Sequence, residues 1–378
     1  MFAFIQRPAT AATLNRLPAR VAFPKRKMSS ELPKSPIPIF TTVSAYREWR
    51  TRAFEEKKSV GFVATMGALH EGHLGLVRRS LAENDLTVVS IFVNPAQFAP
   101  TEDLATYPRT LPHDLKALEA TTHEADATVT SSRMTAALFL PSVHEMYPSG
   151  ITQEVSAQKG TFVEVKGYGH QMEGTSRPTF FRGVATVVTK LFNIIQPTRT
   201  YFGQKDIQQA LLLRRMVRDL ILSHPTPDTF YIIPTTRDPI SSLALSSRNA
   251  YLSDTERELA APQLAAALRA AKHSWASGGA NKASCIQVAT ELVSTKAQEL
   301  ATAHGIQMKL DYVEMNDPET FDVVPDDVTR EVYLREQVGG VEGERPVILS
   351  GAMWVGKTRL IDNIVLGDAK HLGIVETS

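Results

Sequence analysis

Between residues 60 and 93 the spacing of apolar positions changes twice. The apolar run SVGFVAT leads into a turn punctuated by Gly67 and Gly72, then into HLGLVRRSLAEN, then into a second apolar run, LTVVSIFV. In the middle segment Leu74, Val77 and Leu81 recur on one helical face while Arg78, Arg79 and Glu83 take the other. Such a strand, helix, strand unit needs a parallel sheet under its helix, so an α/β fold with a Rossmann-like parallel-sheet domain is predicted. Two more stretches fit the scheme: Val184, Val187, Val188, Leu191 and Ile195 repeat at helical spacing until Pro197, and Ala210, Leu213, Val217 and Leu220 do so after Asp206. TYFG between them and TFYIIPTT at 229–236 read as further short strands.

The pattern changes at Ser253, which forms a capping-box pair with Glu256 at the head of an Ala-rich helix. Beyond it Met308, Leu310 and Tyr312 alternate with Lys309 and Asp311, and REVYLREQV and PVILSGAMWV also read as strands. The Gly- and charge-rich stretch 338–346 reads as a surface loop. The predicted organisation is a basic N-terminal segment over 1–30, a Rossmann-like domain over 31–252 and a smaller α+β C-terminal domain over 253–378.

Charge and cysteine narrow the function classes. With 41 basic and 40 acidic residues the chain has almost no net field, which argues against nucleic acid or an acidic membrane surface as a partner. Small molecules and other protein chains remain. Cys285 is alone, so no internal disulfide is possible and a reducing, cytoplasmic setting is expected; in its alanine-rich stretch the thiol reads as packing. The long apolar stretch GVATVVTKLFNIIQP is broken by Lys190 and ended by Pro197, short of a membrane span. Residues 1–30 carry Arg7, Arg16, Arg20, Lys25, Arg26 and Lys27 and no acid. That composition suits a mitochondrial transit peptide and equally a basic arm, or translation from Met28.

Candidate chemistry gathers at predicted strand ends. In TMGALHEGH, Thr65 to His73, the two glycines allow backbone to approach a phosphate and the helix N-terminus favours negative charge. His70 and His73, three apart, can point the same way. The alternative is that one imidazole caps the helix while the other fills space. A zincin site does not fit, because the spacing is HxxH. FVNPAQF places Asn94 and Gln97 at the end of the next strand. FGQKD puts Lys205 at another helix start, with Gln209 one turn on. LSSRN offers Ser246, Ser247 and Arg248, two hydroxyls and a guanidinium suited to polyphosphate oxygens. Singly, each of these three is an ordinary turn or loop.

Taken in order, TMGALHEGHLGLVRRS, VSIFVNPAQFAPTEDLATYPRT, EGTSRPTFFRGVATVVTKLFNIIQPTRTYFGQKDIQQ and LALSSRNAYLS closely resemble the signature blocks of pantothenate synthetases. HEGH and LSSR are similar to the HIGH and KMSKS motifs of the wider nucleotidylyltransferase superfamily. The resemblance is strong over 60–252 and looser beyond. It implies ATP-dependent condensation of pantoate with β-alanine through a pantoyl adenylate, with Mg²⁺ on the phosphates and a homodimeric assembly. On that resemblance Met66, Gly67, Ala68, Leu69, His70, Glu71, Gly72 and His73 would line ATP, with His73 the proton donor and His70 beside it on the phosphates. Gly203, Gln204, Lys205 and Asp206 would contact the nucleotide, and Leu245, Ser246, Ser247 and Arg248 would close over its triphosphate. The backbone of Thr236 would meet adenine. Gln97 and Gln209 would hold pantoate, Gln97 also lying near β-alanine, while Asn94 would support that pocket and Arg177 matches an arginine of the family's RPxHF block. His73, His70, Lys205 and Arg248 are thus the expected catalytic group. Asp114 is a candidate Mg²⁺ ligand, since no dedicated ligand cluster is visible. The C-terminal domain would act as a lid with its hinge near Ser253.

Some positions depart from the family pattern. Phe180 stands where the RPxHF block has His, Ala64 precedes TMG where Pro is usual, Leu245 replaces a common Met, and RDPISSLAL is one residue longer than usual. Two motifs point elsewhere. GAMWVGKT at 351–358 satisfies the Walker A pattern and would make a P-loop kinase, although RLIDNIVL after it is short and β-rich where a P-loop needs a helix. KMSS at 27–30 lies before the first strand and reads as chance. Among rival functions, transfer of a nucleotide to a phosphorylated alcohol or mononucleotide fits the same fold, but Gln97 and Gln209 favour a small hydroxy acid. A non-catalytic nucleotide sensor would have no need of both His, Lys205 and Arg248.

Overall fold

The computed structural model describes residues 32–99, 104–124, 132–335 and 344–375. The basic segment 1–30 and much of the 338–346 stretch lie outside the described residues. The strands are β1 (Ile39–Phe40), β2 (Val60–Thr65), β3 (Leu86–Ile91), β4 (Thr122–Glu124), β5 (Ser132–Met134), β6 (Ala137–Phe139), β7 (Arg199–Gly203), β8 (Phe230–Ile233), β9 (Met308–Asn316), β10 (Val347–Val355) and β11 (Thr358–Leu366). The helices are α1 (Val43–Glu55), α2 (Glu71–Glu83), α3 (Leu111–Ala120), α4 (Val143–Met146), α5 (Glu173–Ser176), α6 (Phe180–Ile195), α7 (Ile207–Asp219), α8 (Gln263–Ala276), α9 (Lys282–His304) and α10 (Arg330–Arg335).

The first sheet runs β1-β6-β3-β2-β7-β8 with every neighbouring pair parallel, as the Rossmann-like reading requires. Going out from β2, the chain adds β3 on one side and, later, β7 on the other. The reversal opens a crevice at the carboxyl ends of β2 and β7, the place where ligands bind in such sheets. Leu74, Val77 and Leu81 of α2 are buried as their spacing predicted, while Arg78 is exposed. Helix α6 is apolar along nearly its whole length and is buried accordingly. It ends at Gln196, which adopts the left-handed conformation (φ 50°) just before Pro197. Helix α7 stops at Asp219, one residue short of Leu220, which is exposed instead of closing the apolar face.

A second, antiparallel sheet runs β11-β10-β9, with α8 and α9 forming its core through Leu264, Leu268, Trp275, Cys285, Ala289 and Val293. Cys285 is fully buried there, and burial pushes its thiol upward, so it is packing and not a nucleophile. The Ser253–Glu256 capping box forms: the Glu256 carboxylate accepts from Ser253 N at 2.9 Å and the Ser253 hydroxyl accepts from Glu256 N at 3.3 Å. The strand reading of REVYLREQV fails, because residues 330–335 are helical. Among the described residues of that run, 330–335, only Tyr333 is buried, its hydroxyl donating to the Pro346 carbonyl at 3.0 Å, so the alternation there had no sheet face to satisfy. The end of the described chain returns to the first sheet, where Ile374 bridges Ile232.

GAMWVGKT lies on β10 and its hairpin turn. Val355 pairs with Thr358, so Gly356 (φ 54°) and Lys357 are the two turn residues and the chain continues as β11, with no helix to cradle a phosphate. The P-loop reading is thereby set aside. Lys357→Ala is expected to leave ATP affinity and turnover within about a few-fold of the native chain, as for an exposed turn lysine; loss of nucleotide binding in calorimetry of the folded variant would overturn this.

Gly183, in the first turn of α6, fixes how the 94–97 segment sits. A Cβ there would fall 2.1 Å from the Ala96 carbonyl oxygen and 2.7 Å from Gln97 N, both backbone atoms that cannot swing aside. Gly183→Ala should therefore cost about 1–3 kcal/mol or more, as overpacking does. Denaturant unfolding would measure it, and an unchanged midpoint would show that the segment is free to move.

Candidate active site

A cavity of about 450 Å³ lies at the carboxyl ends of β2, β3, β7 and β8 and is closed on the far side by residues of the second sheet. Of the residues singled out in the sequence, Met66, His70, Gly72, His73, Asn94, Gln97, Arg177, Gly203, Lys205, Asp206, Gln209, Thr236, Leu245, Ser246, Ser247 and Arg248 line it. Gly67, Ala68, Leu69, Glu71 and Gln204 stand behind that wall. Glu71 instead pairs with Arg78 at 2.7 Å on the exposed side of α2.

The turn after β2 is held from behind. Thr65 donates to the Ser90 carbonyl at 2.7 Å and accepts from Gly67 N at 3.2 Å. Gly67 and Ala68 both take positive φ, 85° and 51°. The Asp114 carboxylate accepts from Ala68 N at 3.1 Å and from Leu69 N at 2.8 Å, and Thr110 donates to it as well. Its oxygens are thus occupied by the turn and by Thr110, and Asp114 is not among the residues that line the cavity. This corrects the reading of Asp114 as a metal ligand: its carboxylate is a clamp. No cluster of three or more His, Cys, Asp or Glu side chains suited to a metal occurs among the described residues.

His70 is the N-cap of α2, its Nδ1 accepting from Gly72 N at 3.1 Å, and His73 Nδ1 accepts from His70 N at 3.4 Å. One imidazole thus caps the helix, and both rings line the cavity, so capping does not take His70 out of it. With each Nδ1 used as an acceptor, the proton of the neutral ring sits on Nε2, which is left as a donor. The rings are 4.1 Å apart. Burial and then the Lys205 charge hold His70 down at about 4; burial and then the neighbouring His70 hold His73 at about 3. Both are neutral donors at neutral pH.

Lys205 follows β7 in the short turn Gln204–Asp206 that opens α7, with Nζ 3.5 Å from the Asp206 carboxylate. On β8's side, a reversal over 237–244 brings Thr236 and Leu245 together, Leu245 N donating to the Thr236 carbonyl at 3.0 Å. RDPISSLAL forms that loop, and Thr236 just before it lines the cavity. Ser246 caps the next turn by accepting from Arg248 N at 3.2 Å, and Arg248 Nη1 donates to the Arg359 carbonyl at 3.4 Å.

The polar end of the cavity is built on Asn94, which is 1% exposed. Its amide nitrogen donates to Gln97 Oε1 and to the Gly183 carbonyl, each at 3.1 Å, and its oxygen accepts from the Tyr147 hydroxyl at 2.7 Å. Asn94 is thereby occupied in holding Gln97. Arg177 donates to the Gln97 carbonyl at 3.1 Å and its guanidinium lies 4.0 Å over the Phe180 ring. Gln209 reaches the same space from α7.

Sequence reasoning passed over several lining residues. Tyr107 stands in the TEDLATYPRT block, so it was within reach as a motif member. Tyr312, Ser350, Asp362 and Asn363 come from the second sheet. The one available signal there was the polar pair Asp362–Asn363 inside an otherwise apolar strand.

The family model for pantoate–β-alanine ligase matches residues 38–365. The pantoate–β-alanine ligase of Saccharomyces cerevisiae is 41% identical over 342 residues, covering 87% of this chain and 99% of the relative. The pantothenate synthetase of Herpetosiphon aurantiacus is 42% identical over 328 residues, covering 87% and 99%. The crystal structure of pantothenate synthetase from Thermus thermophilus superposes with a TM-score of 0.66 at 37% identity, over 87% of this chain and 99% of that one. A pantoate–β-alanine ligase from Francisella tularensis, solved in complex with β,γ-ATP and β-alanine, gives a TM-score of 0.59 at 29% identity, over 87% and 97%. A match to the family model over nearly the whole described chain, set on a parallel sheet whose crevice gathers the expected side chains, places this chain in the pantoate–β-alanine ligase family.

Proposed function

We propose that this cavity joins pantoate to β-alanine at the expense of ATP, giving pantothenate, AMP and pyrophosphate. A pantoate carboxylate oxygen attacks the α-phosphorus and pyrophosphate leaves. The β-alanine amine then attacks the acyl carbon, the bond to AMP breaks, an amide forms and a proton is released. The observation that carries this reading is the convergence of His70, His73, Lys205 and Arg248 on one cavity whose other end presents Gln97 and Gln209. The Francisella relative solved with an ATP species and β-alanine supports the same pair of ligands.

Adenylyl transfer asks mainly for orientation and for neutralising charge on the departing pyrophosphate. Lys205 and Arg248 supply fixed positive charge. His73 and His70 donate from Nε2 as neutral rings, His73 being placed to follow the leaving oxygen. The peptides from Met66 to Leu69 with Glu71, Gly72 and Gly203 to Asp206 shape the nucleotide site, Thr236 meets the base, and Leu245, Ser246 and Ser247 close over the phosphates. Gln97 and Gln209 take the hydroxyls and carboxylate of pantoate, with Asn94 and Arg177 fixing Gln97. Mg²⁺, when bound with ATP, would help neutralise the phosphate charge, and no cluster of three or more His, Cys, Asp or Glu side chains among the described residues would hold it on its own. The part from Ser253 onward is proposed as the lid that shelters the adenylate, and the working assembly as a homodimer.

Pantoate-dependent exchange of labelled pyrophosphate into ATP, with β-alanine left out, tests the two-step route. Exchange is expected with pantoate alone; an obligatory need for β-alanine would sink it. In the same assay Lys205→Ala and His73→Ala should each lose about 10²- to 10³-fold in rate, the usual effect of removing one preorganised donor. Pantoate affinity should barely move in those two, whereas Gln97→Ala should raise the pantoate KM. Near-normal exchange by Lys205→Ala at saturating ATP would remove Lys205 from the phosphates.

The imidazoles also fix a pH dependence. In the nucleotide-free protein they titrate at about 4 and about 3 instead of the ordinary 6.5. Hence kcat/KM for ATP should show no histidine step between about pH 6 and 8. Above 6.5 both rings are neutral folded or unfolded and contribute nothing to the pH dependence of stability. As pH falls below 6.5 the unfolded chain takes protons first, so stability drops until the folded values are reached. Ring chemical shifts followed by NMR would check this, and a step near neutrality abolished by His73→Asn would refute it.

A further inference from the structure

We propose that Asp362 and Asn363, adjacent on β11 of the second sheet, are positioning residues that set Lys205 and Arg248 at their working separation. Both are buried, at 4% and 2% exposure, in a strand where neighbouring side chains point to opposite faces. Burying two adjacent polar side chains is tolerable only when their polar atoms are satisfied. Here they are, and by two different loops.

Asn363 faces the turn after β7. Its amide nitrogen donates to the Gln204 and Lys205 carbonyls, each at 2.9 Å, and its oxygen accepts from Gln204 Nε2 at 3.3 Å. This explains why Gln204 stands behind the cavity wall: its side chain is turned to the second sheet. Asp362 grips the loop after β8. Its two oxygens accept from Arg237 Nη1 at 2.6 Å and Nη2 at 2.8 Å in a bidentate pair, and Arg237 Nη1 also donates to the Ser242 carbonyl. Arg237 opens the reversal that ends at Leu245, so the pair anchors the loop leading to Ser246 and Arg248. Arg248 is referred to the same strand a second time through the Arg359 carbonyl. Two cation-bearing loops that the first sheet would leave independent are thus registered against one rigid strand.

The pair acts on the phosphate end alone. Gln97, Gln209 and Arg177 make no hydrogen bond to it, so pantoate binding should not depend on it. The inference rests on the adenylyl-transfer reading above, and one set of measurements separates the two. Pyrophosphate–ATP exchange at saturating ATP and pantoate is compared for the native chain, Asn363→Asp, Arg237→Lys and, as a control on the same hairpin, Lys357→Ala.

Asn363→Asp keeps size and shape but turns a carboxylate toward two carbonyl oxygens; Arg237→Lys keeps the charge but loses the fork. A misplacement of the donors by about 1 Å costs roughly 10²-fold, so exchange is expected to fall by about that much in Asn363→Asp and by about tenfold in Arg237→Lys. The pantoate KM should stay within about two-fold in both, and the control should keep native exchange. A purely space-filling role for Asn363 predicts the reverse, near-native exchange by the isosteric Asn363→Asp. If Asn363→Asp does not fold, Arg237→Lys decides. Exchange within about three-fold of native in a folded variant, or a rate loss matched by an equal loss of pantoate affinity, overturns the inference. Native protein that exchanges without pantoate would instead overturn the parent reading.

Discussion

The Asp114 carboxylate, 1% exposed, takes hydrogen bonds from two successive backbone N–H groups, Ala68 and Leu69, and from the Thr110 hydroxyl. A buried charge persists only where such donors surround it, so the turn and the carboxylate require each other. Ala68 is held at φ 51°, which costs about 1–2 kcal/mol for a residue with a side chain. Hydrogen bonds to a charged group are worth about 1.5–3 kcal/mol each, and two of them come from this turn, so the clamp outweighs the strain. The consequence is directional. With the backbone fixed at 67–69, α2 begins at His70, and the reciprocal contact between His70 and His73 leaves both Nε2 edges for the cavity.

Charge in the site follows from that placement. Two imidazoles with rings 4.1 Å apart, near Lys205 and largely removed from water, are both disfavoured as imidazolium cations. They stay neutral, and the positive charge on this side of the cavity is left to Lys205 and Arg248. This division matters because a neutral donor costs little to keep in a dry site, while a lysine and an arginine at the ends of short turns stay partly solvated until a ligand arrives. The two kinds of donor therefore come from different local structures, imidazoles from a helix cap and cations from turns.

Most of the first sheet was legible because each of its units is local. The change from apolar run to helical spacing at 60–93 specifies β2, α2 and β3 within one stretch, and the apolar face of α6 ends at Pro197 as written. The short strands β1, at the sheet edge, and β6, beside it, carried too few residues to show a period. REVYLREQV misled because alternation alone cannot say whether a face exists for it to meet; among its described residues only Tyr333 is buried. The site divides in the same way. Residues on strand-to-helix turns were found from their place in the order of elements, whereas Asp362, Asn363, Tyr312 and Ser350 reach the cavity from a second sheet more than a hundred residues downstream of the first motif. Nothing local to β11 says which loops its side chains meet. Gln204 and Asp114 show a different limit: both sit in or beside the right motif, but their side chains hydrogen-bond to other parts of the fold, which the motif does not reveal.

Phe180 marks the place where a family pattern could not be carried over residue by residue. An imidazole there could donate, accept or titrate, and a phenyl ring does none of these. The ring instead lies under the Arg177 guanidinium at 4.0 Å and edge-on to Phe181 at 5.1 Å. Such a cation–aromatic contact is worth about 0.5–1 kcal/mol when exposed and about 2 when dry. That is enough to bias the orientation of a guanidinium already donating to the Gln97 carbonyl. Stacking and a backbone hydrogen bond thus both contribute to orientation at the polar end. The histidines that line this cavity, His70 and His73, both stand beside Lys205, while the end that presents Gln97 is built from amides, an arginine and aromatic faces.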